Sequence, residues 1–205
     1  MKIPTRQEAN AFLSEANTLN PGPWFQHSLF VAQAAEAIAA HHDDLNAEDA
    51  YILGCLHDIG RREGPTDLRH ILDGYRFLHD KGFTDSARIC LTHSFPLQDI
   101  QAYSGESDCS ADEVQFIEVY LARIEYTEYD RLLQLCDALA LPTGFTLIEK
   151  RLVDVALRRG VNKLTTAKWQ AFLDLEKKFS QSIGQSIYRV LPGVVENTFG
   201  FGLPE

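Results

Sequence analysis

The sequence predicts an all-α protein, and three observations support this prediction. Apolar residues recur at helical spacing in most segments, and polar residues that can cap a helix precede those segments. Gly or Pro follows most of them, whereas the alternation typical of strands is nearly absent. The chain has 205 residues, 45% of them hydrophobic, so it can bury a full core, and we expect one domain over residues 1–205.

The first predicted helix follows the turn-rich sequence NPGPW at residues 20–24 and runs to about His42. Its apolar stripe consists of His27, Phe30, Val31, Ala34 and Ile38. NPGPW could shape the mouth of a pocket, but we expect a structural turn in which Trp24 anchors the core. In either case His27 lies on the apolar stripe of this helix.

The second predicted helix contains the sequence LHDIG at residues 56–60. Asn46 can cap this helix, and we expect Gly60 to end it. One face carries Ala50, Leu53, Gly54 and His57. His57 therefore points inward with Asp58 beside it, although burying two adjacent ionisable groups among apolar residues is costly.

Two further helices each deliver a histidine. The third is expected from Thr66 to Gly82, and the absent side chain of Gly74 is expected to leave space beside His70, four residues earlier. Thr84 can cap a short fourth helix that runs to about His93 and packs Ile89 and Cys90 beneath that histidine. Pro96 closes the segment.

The second half of the chain begins after the polar loop QAYSGESDCS, residues 101–110. Capping boxes are predicted at Ser110 with Glu113, before a helix that runs to about Arg123, and at Thr127 with Asp130. The helix that follows has the sequence YDRLLQLCDALALP, residues 129–142, and ends near its final proline. It places Asp137 on an apolar surface, where a lone carboxylate is unfavourable.

Two more helices are expected in the last third, from about Phe145 to Arg159 and from about Thr165 to Tyr188. In the segment LIEKRLVDVALRRG, residues 147–160, basic residues alternate with apolar positions as on a solvated helix, and we assign it no partner. The tail LPGVVENTFGFGLPE, residues 191–205, is rich in Gly and Pro, so we expect it to be irregular.

Composition restricts the environment and the partners. The formal net charge is −10, which disfavours stable binding of nucleic acid. The sequence has no secretory signal pattern and no apolar run near the roughly 20 residues of a membrane span, so we expect a soluble, cytoplasmic protein. The four cysteines form no CxxC pair, which predicts reduced and mostly buried thiols, without disulfides or a zinc ribbon.

Six residues on helices can bind a metal ion. Five of them are predicted to face inward, namely His27, His57, His70, His93 and Asp137, and Asp58 lies beside His57. Neutral imidazoles and carboxylates suit Zn, Mn or Fe. Adjacent residues on a helix diverge by about 100°, so His57 and Asp58 are expected to flank one ion or to serve two. A single histidine on an apolar face is more often a hydrogen-bonded core residue, but six such residues together favour a metal site.

His57, Asp58, Ile59 and Gly60 spell the HDIG variant of the HD superfamily of metal-dependent phosphohydrolases, which the chain resembles over about residues 25–140. The resemblance implies an HD-domain helical bundle with additional C-terminal helices at about 145–205, where no motif is assigned. It implies that His27, His57, Asp58 and Asp137 bind one metal. Members with two metals carry two further histidines, which His70 and His93 match, and Asp58 would then bridge the ions.

The function that this resemblance implies is hydrolysis of a phosphoester or phosphoanhydride, most plausibly in a nucleotide or dinucleotide. Two divalent ions, which could be Fe, Mn, Co, Ni or Zn, would activate a water molecule and stabilise charge on the phosphoryl group. Asp58 and Arg61 are the expected catalytic residues, and Arg61 is the first choice for a phosphate clamp. Arg88 and Lys81 are weaker candidates.

Subgroups and alternatives stay open at this point. The arrangement is similar to that of small stand-alone HDIG hydrolases of bacteria, some of which cleave dinucleoside polyphosphates, whereas the GYP signature of cyclic-dinucleotide phosphodiesterases is missing. The alternatives are a di-iron HD-type oxygenase and a non-catalytic nucleotide-sensing HD domain. The expected partner is a small phosphorylated substrate, and exposed apolar positions in the last helices could support a homodimer.

Overall fold

The computed structural model describes residues 1–202, and within this range the chain forms ten α-helices and one two-stranded sheet. In chain order the helices are α1 Arg6–Leu19, α2 Trp24–Ala39, α3 Ala47–Leu56, α4 Arg69–Asp80, α5 Thr84–Thr92, α6 Ala111–Arg123, α7 Glu128–Leu139, α8 Ile148–Arg159, α9 Thr165–Ser182 and α10 Val194–Phe199. Short 3-10 helices lie at Ile59–Glu63, Ile100–Ala102 and Ile187–Val190. The all-α prediction is confirmed.

The sheet is a single tight hairpin between α7 and α8. Its strands β1 Ala140–Leu141 and β2 Gly144–Phe145 pair antiparallel, with Ala140 opposite Phe145. Because the hairpin occupies residues 140–145, α8 begins at Ile148 rather than at Phe145, where the sequence predicts its start.

Several helix starts have the caps that the sequence predicts. Capping boxes are present at Ser110 with Glu113 and at Thr127 with Asp130. In both boxes the side chain satisfies a backbone N–H that has no partner inside the helix. Asn46 caps α3 by accepting a hydrogen bond from the backbone N–H of Asp49 at 3.0 Å.

Helix α1 is absent from the series predicted above, although its signals are present in the sequence. Thr5 and Glu8 form a capping box, and the residues buried on the inner face are Ala9, Leu13 and Ala16, at helical spacing. They pack with α3 in one apolar cluster.

Small residues allow α2 and α3, which carry two of the predicted ligands, to approach each other closely. The buried face of α2 is rich in alanine, namely Ala32, Ala34, Ala35 and Ala39. Gly54 of α3 lies so close to it that an added Cβ would come within 2.7 Å of Ala32 Cα. The bulkier side chains Val31 and Ile38 of α2 pack in the main apolar core together with Ala34, Ala35 and Ala39.

The C-terminal helices share the main apolar core with the helices that carry the motif. Phe172, Leu175 and Phe179 of α9 are buried in the same cluster as Val31 of α2 and Leu135 of α7. Burial of one large apolar side chain contributes roughly 1.5–3 kcal/mol, so α9 is attached by substantial hydrophobic contacts.

The prediction that Gly60 ends the second helix is wrong. Helix α3 ends at Leu56 with His57 as its C-cap, and Gly60 lies inside the 3-10 helix that follows. Asp58 therefore lies in the turn between these two helices rather than on a regular helix. The glycine is required by packing, because a Cβ at position 60 would overlap the carbonyl oxygen of His70 on α4.

The expected space beside His70 is also absent. A Cβ on Gly74 would lie 2.9 Å from the Sγ of Cys90 and 3.1 Å from the backbone N of Gly60. The missing side chain of Gly74 is thus used for close contact of α4 with α5 and with the 3-10 helix. The third helix starts at Arg69 instead of Thr66.

The tail and the last long helix also differ from the prediction. Helix α9 ends at Ser182 rather than Tyr188, and Gly184 follows with a left-handed φ of 70°. The tail is not wholly irregular, since α10 lies between two left-handed glycines, Gly193 and Gly200. Glycine permits these turns without strain, so here it bounds a short helix instead of excluding one.

Two further expectations concern the cysteines and membrane spans. All four cysteines are free, and Cys55, Cys90 and Cys136 are buried while Cys109 is partly exposed. Within residues 1–202, no helix combines the length and the apolar character that crossing a membrane would require.

Candidate metal centre

Five helices bring the six predicted metal-binding residues to one place. His27 projects from α2 and Asp137 from α7, while His57 and Asp58 lie at the end of α3. His70 is in the first turn of α4, and His93 is the C-cap of α5. The four histidines and Asp58 are at least nine-tenths buried, and Asp137 has a side chain 26% exposed.

His27, His57, Asp58 and Asp137 form the first half of this site. His27 Nε2 lies 2.9 Å from Asp137 Oδ1, and His57 Nε2 lies 3.9 Å from the same oxygen. The Oδ2 of Asp58 is 3.9 Å from His57 Nε2. Potential ligand atoms of His27, His57 and Asp58 all lie within 4.8 Å of one another.

The second half of the site consists of Asp58, His70 and His93. Asp58 Oδ1 lies 3.0 Å from His70 Nε2 and 3.6 Å from His93 Nε2. These three residues also present ligand atoms within 4.8 Å of one another. Asp58 belongs to both groups, and its two carboxylate oxygens face different groups.

Backbone carbonyls orient three of the histidine rings. The Nδ1 of His57 bonds to the carbonyl of Gly54 at 2.8 Å, and the Nδ1 of His93 bonds to the carbonyl of Ile89 at 3.1 Å. His70 Nδ1 bonds in the same way to the carbonyl of Asp67. A carbonyl oxygen can only accept, so each Nδ1 donates its proton and a neutral ring presents the Nε2 lone pair to the site.

The chemistry of these donor atoms fits a metal ion. The Nε2 atoms of His57 and His70 are buried without a hydrogen-bond partner. His70 Nε2 faces Asp58 Oδ1 at 3.0 Å, but two lone pairs cannot form a hydrogen bond with each other when the ring is neutral. A cation between them would satisfy both acceptors, and imidazole with carboxylate is a common ligand set for transition metals.

The electrostatics of the site favour anionic carboxylates at Asp58 and Asp137 and neutral imidazoles at His57 and His93. Burial opposes the charge on Asp58, but Arg61, His70 and His57 outweigh it and hold the pKa of this carboxyl well below its usual range. Burial also opposes the charge on Asp137, but the hydrogen bond from His27 and the neighbouring histidines outweigh it and lower the pKa of this carboxyl. Burial lowers the pKa of His93 to about 3. These are the protonation states that metal binding requires.

Arg61 contacts the candidate bridging carboxylate directly. Its Nε donates to Asp58 Oδ2 at 2.6 Å, and its Nη1 donates to the carbonyl of Thr66 at 3.3 Å. The guanidinium also lines the cavity next to the site. Arg61 is therefore placed to orient Asp58 and to face a bound substrate.

The weaker candidates for a phosphate clamp lie elsewhere. Arg88 Nε donates to the buried carboxylate of Asp130 at 2.9 Å, which ties α5 to α7. Lys81 lies over the rings of Phe12 and Phe77, 5.2 and 5.0 Å from their centroids. Neither residue lines the cavity.

A cavity of about 490 Å³ opens beside the candidate ligands. Trp24 lines this cavity and also packs in the core, so the turn at NPGPW both shapes a pocket and anchors the core. Helices α8 and α9 supply a large part of its wall, including Arg151, Arg158, Arg159, Lys168, Trp169 and Phe172. Sequence reasoning missed these residues, although Arg151, Val155 and Arg158 recur at the spacing of one helix face.

Comparisons with known proteins agree with the motif. The family model described as the HD domain matches residues 24–141, which is more than half of the chain and includes all six candidate ligands. Neither the curated proteins nor the solved structures give a significant match. The HD domain defines a superfamily of metal-dependent hydrolases, and the chain belongs to this HD-domain family.

Proposed function

We propose that the protein is a phosphohydrolase that uses two divalent metal ions to cleave a phosphoester or phosphoanhydride in a nucleotide or dinucleotide. The observation that carries this proposal is the pair of ligand groups that share Asp58. When bound, two such ions supply an activated water molecule and neutralise charge on the reacting phosphoryl group.

The proposed ligands fall into two sets. His27, His57, Asp58 and Asp137 would hold one ion, and His70 and His93 would hold the other together with Asp58. The unpartnered Nε2 atoms of His57 and His70 support this assignment, as do the Nδ1 hydrogen bonds that fix the rings. Imidazole and carboxylate ligands are compatible with Fe, Mn, Co, Ni or Zn.

The proposed role of Arg61 has two parts. Its ion pair with Asp58 holds that carboxylate in one orientation, so both oxygens keep their positions relative to the histidines. Its place on the cavity wall allows the guanidinium to contact a phosphate oxygen of the substrate. Arg61 would thus serve as a positioning residue and as a cationic contact.

The cavity supports a substrate of nucleotide size. Its volume of about 490 Å³ lies within the range of roughly 300–1,000 Å³ that is typical of small-molecule sites. Trp24 and Trp169 both line it, and aromatic faces of this kind can stack with a base.

A comparison of the wild type with Asp58→Ala tests the proposal. Metal-loaded protein is incubated with a panel of nucleotides, dinucleotides and a chromogenic phosphomonoester, and released phosphate is measured. We expect turnover of at least one compound and a loss of about 100-fold or more in Asp58→Ala, since the shared ligand is removed. Asp80→Ala, which changes an exposed carboxylate, is the matched control and should keep wild-type activity.

Two outcomes would contradict the proposed function. One is equal or absent turnover in the wild type and Asp58→Ala. The other is consumption of oxygen by iron-loaded protein without phosphate release from any ester, which would favour the di-iron oxygenase.

A further inference from the structure

Lys168 of α9 lies in the wall of the same cavity as the candidate metal ligands. Its Nζ donates to the carbonyl of Ala102 at 2.9 Å and to the hydroxyl of Ser104 at 3.2 Å. Both partners are neutral, and among the described residues no carboxylate forms an ion pair with Lys168. The ammonium group is thus held in place by hydrogen bonds to neutral groups rather than by an ion pair.

The arginines of α8 add to this positive charge. Arg151 and Arg158 share one carboxylate, that of Asp154, at 3.2 and 2.8 Å, and Arg159 contacts Asp67 at 2.8 Å. With Lys168, four cations of α8 and α9 therefore face two carboxylates in this part of the wall. The other two carboxylates of the cavity, Asp58 and Asp137, belong to the candidate metal ligands. A positive region of this kind is notable in a chain with a net charge of −10.

We propose that Lys168, together with Arg158 of the same cavity wall, binds a second anionic group of the substrate, separate from the group held at the metal ligands. This inference rests on the proposed function, because it assumes that one phosphoryl group of the substrate lies at those ligands. The substrate class that follows is an organic phosphate with two separated anionic groups, such as a nucleoside bisphosphate or a dinucleotide.

The rest of the cavity wall suits the body of such a molecule. Trp169, Phe172 and Leu152 lie in the wall together with Lys168 and present apolar surface. Burial lowers the pKa of Lys168 to about 8, and the negative charge of Asp137 opposes this shift, so the two regions are close enough to interact electrostatically. Metal ions at the ligands would cancel that negative charge and leave Lys168 available to an anion.

Ligand binding can be measured without turnover, because the only two tryptophans of the chain, Trp24 and Trp169, both line the cavity. Zn²⁺-loaded protein is titrated with adenosine 5′-monophosphate and with adenosine 3′,5′-bisphosphate. Tryptophan fluorescence is excited where adenine does not absorb and is read before appreciable turnover. The two ligands share one body and differ by one phosphate, so their affinity ratio reports the second anion.

We expect the wild type to bind the bisphosphate at least about tenfold more tightly than the monophosphate, equivalent to about 1.4 kcal/mol. Lys168→Gln should remove most of this preference while leaving the affinity for the monophosphate nearly unchanged. A glutamine amide can still donate to the carbonyl of Ala102, so the fold should persist, as circular dichroism would verify. Lys163→Gln, which changes an exposed lysine outside the cavity, should retain the full preference.

Arg158→Gln provides a second variant at a side chain that is 50% exposed, and it should lower the preference by a smaller factor. An equal affinity of the wild type for both ligands, or a preference that Lys168→Gln and Arg158→Gln leave intact, would overturn the second subsite. The second subsite would also be overturned if neither ligand bound to the wild type. If phosphate release depends on Asp58 but the preference is absent, only the subsite fails; a preference that depends on Lys168 without any turnover contradicts the proposed function instead.

Discussion

At the scale of single residues, the site depends on which ring nitrogen of each histidine is available. The sequence places His57, His70 and His93 on inward positions, but the atom that each ring presents depends on a carbonyl near a helix terminus. Helix periodicity predicts the direction of a side chain and contains no information about such a carbonyl. The candidate ligands could therefore be predicted from the sequence, whereas the availability of their Nε2 lone pairs could not.

Lys168 gives the second subsite a defined pH dependence. Burial lowers the pKa of this lysine to about 8, although the charge of Asp137 acts in the opposite direction. The ammonium is charged below that pH and neutral above it, and a bound anion favours the charged form. The second pKa of a phosphomonoester is about 6, so the charge of the ligand changes little at higher pH.

We therefore predict that the preference for the bisphosphate is present at about pH 7 and largely lost at about pH 9.5. The measurement is the same fluorescence titration carried out across this range. Lys168→Arg should keep the preference at the higher pH, because an arginine stays protonated. A preference that declines equally in the wild type and in Lys168→Arg would assign the titration to another group.

At the scale of elements, the contact between the 3-10 helix and α4 holds Asp58 near His70. Gly60 packs directly against the backbone of His70 and Gly74, and Gly74 packs in turn against Cys90 of α5. The sequence suggested a helix stop at the first glycine and open space at the second. Both interpretations considered only neighbouring residues, whereas glycine is required at each position because residues distant in the chain pack against it.

Gly60→Ala should destabilise the protein, because the new methyl group overlaps the His70 carbonyl and α4 must move away. We expect a loss of about 1–3 kcal/mol in the free energy of unfolding, measured by urea denaturation, as in an overpacked core. Gly202→Ala is the control, since a Cβ there would meet its nearest neighbour at 3.8 Å. Wild-type stability of Gly60→Ala would show that the two backbones are not in close contact.

The elements themselves were predictable where local signals decide the outcome. The capping boxes at Ser110 and Thr127 mark real helix starts, and the apolar spacing around His27 marks a buried helix face. Boundaries failed where the chain forms a short element that helix periodicity does not predict, as at the hairpin before α8. The short helix α10 was missed because its flanking glycines resemble those of an irregular tail.

At the scale of the whole molecule, the C-terminal helices complete both the core and the cavity. Phe179 is fully buried in the main core, while Lys168 and Trp169 of the same helix line the cavity beside the candidate metal centre. The sequence contains no motif in this region, because residues that bind a substrate by charge and shape follow no fixed spacing. The family can thus be inferred from the HDIG residues, whereas the wall of the cavity depends on the three-dimensional structure.

Asp58 is proposed to join two metal sites, and the metal content of the protein tests this proposal most directly. Protein purified without chelator is analysed by elemental mass spectrometry beside His70→Ala and the exposed control His79→Ala. We expect about two ions per chain in the wild type and the control, and about one in His70→Ala, because only the second set of ligands is broken. One ion or none in the wild type, or an unchanged content in His70→Ala, would contradict it.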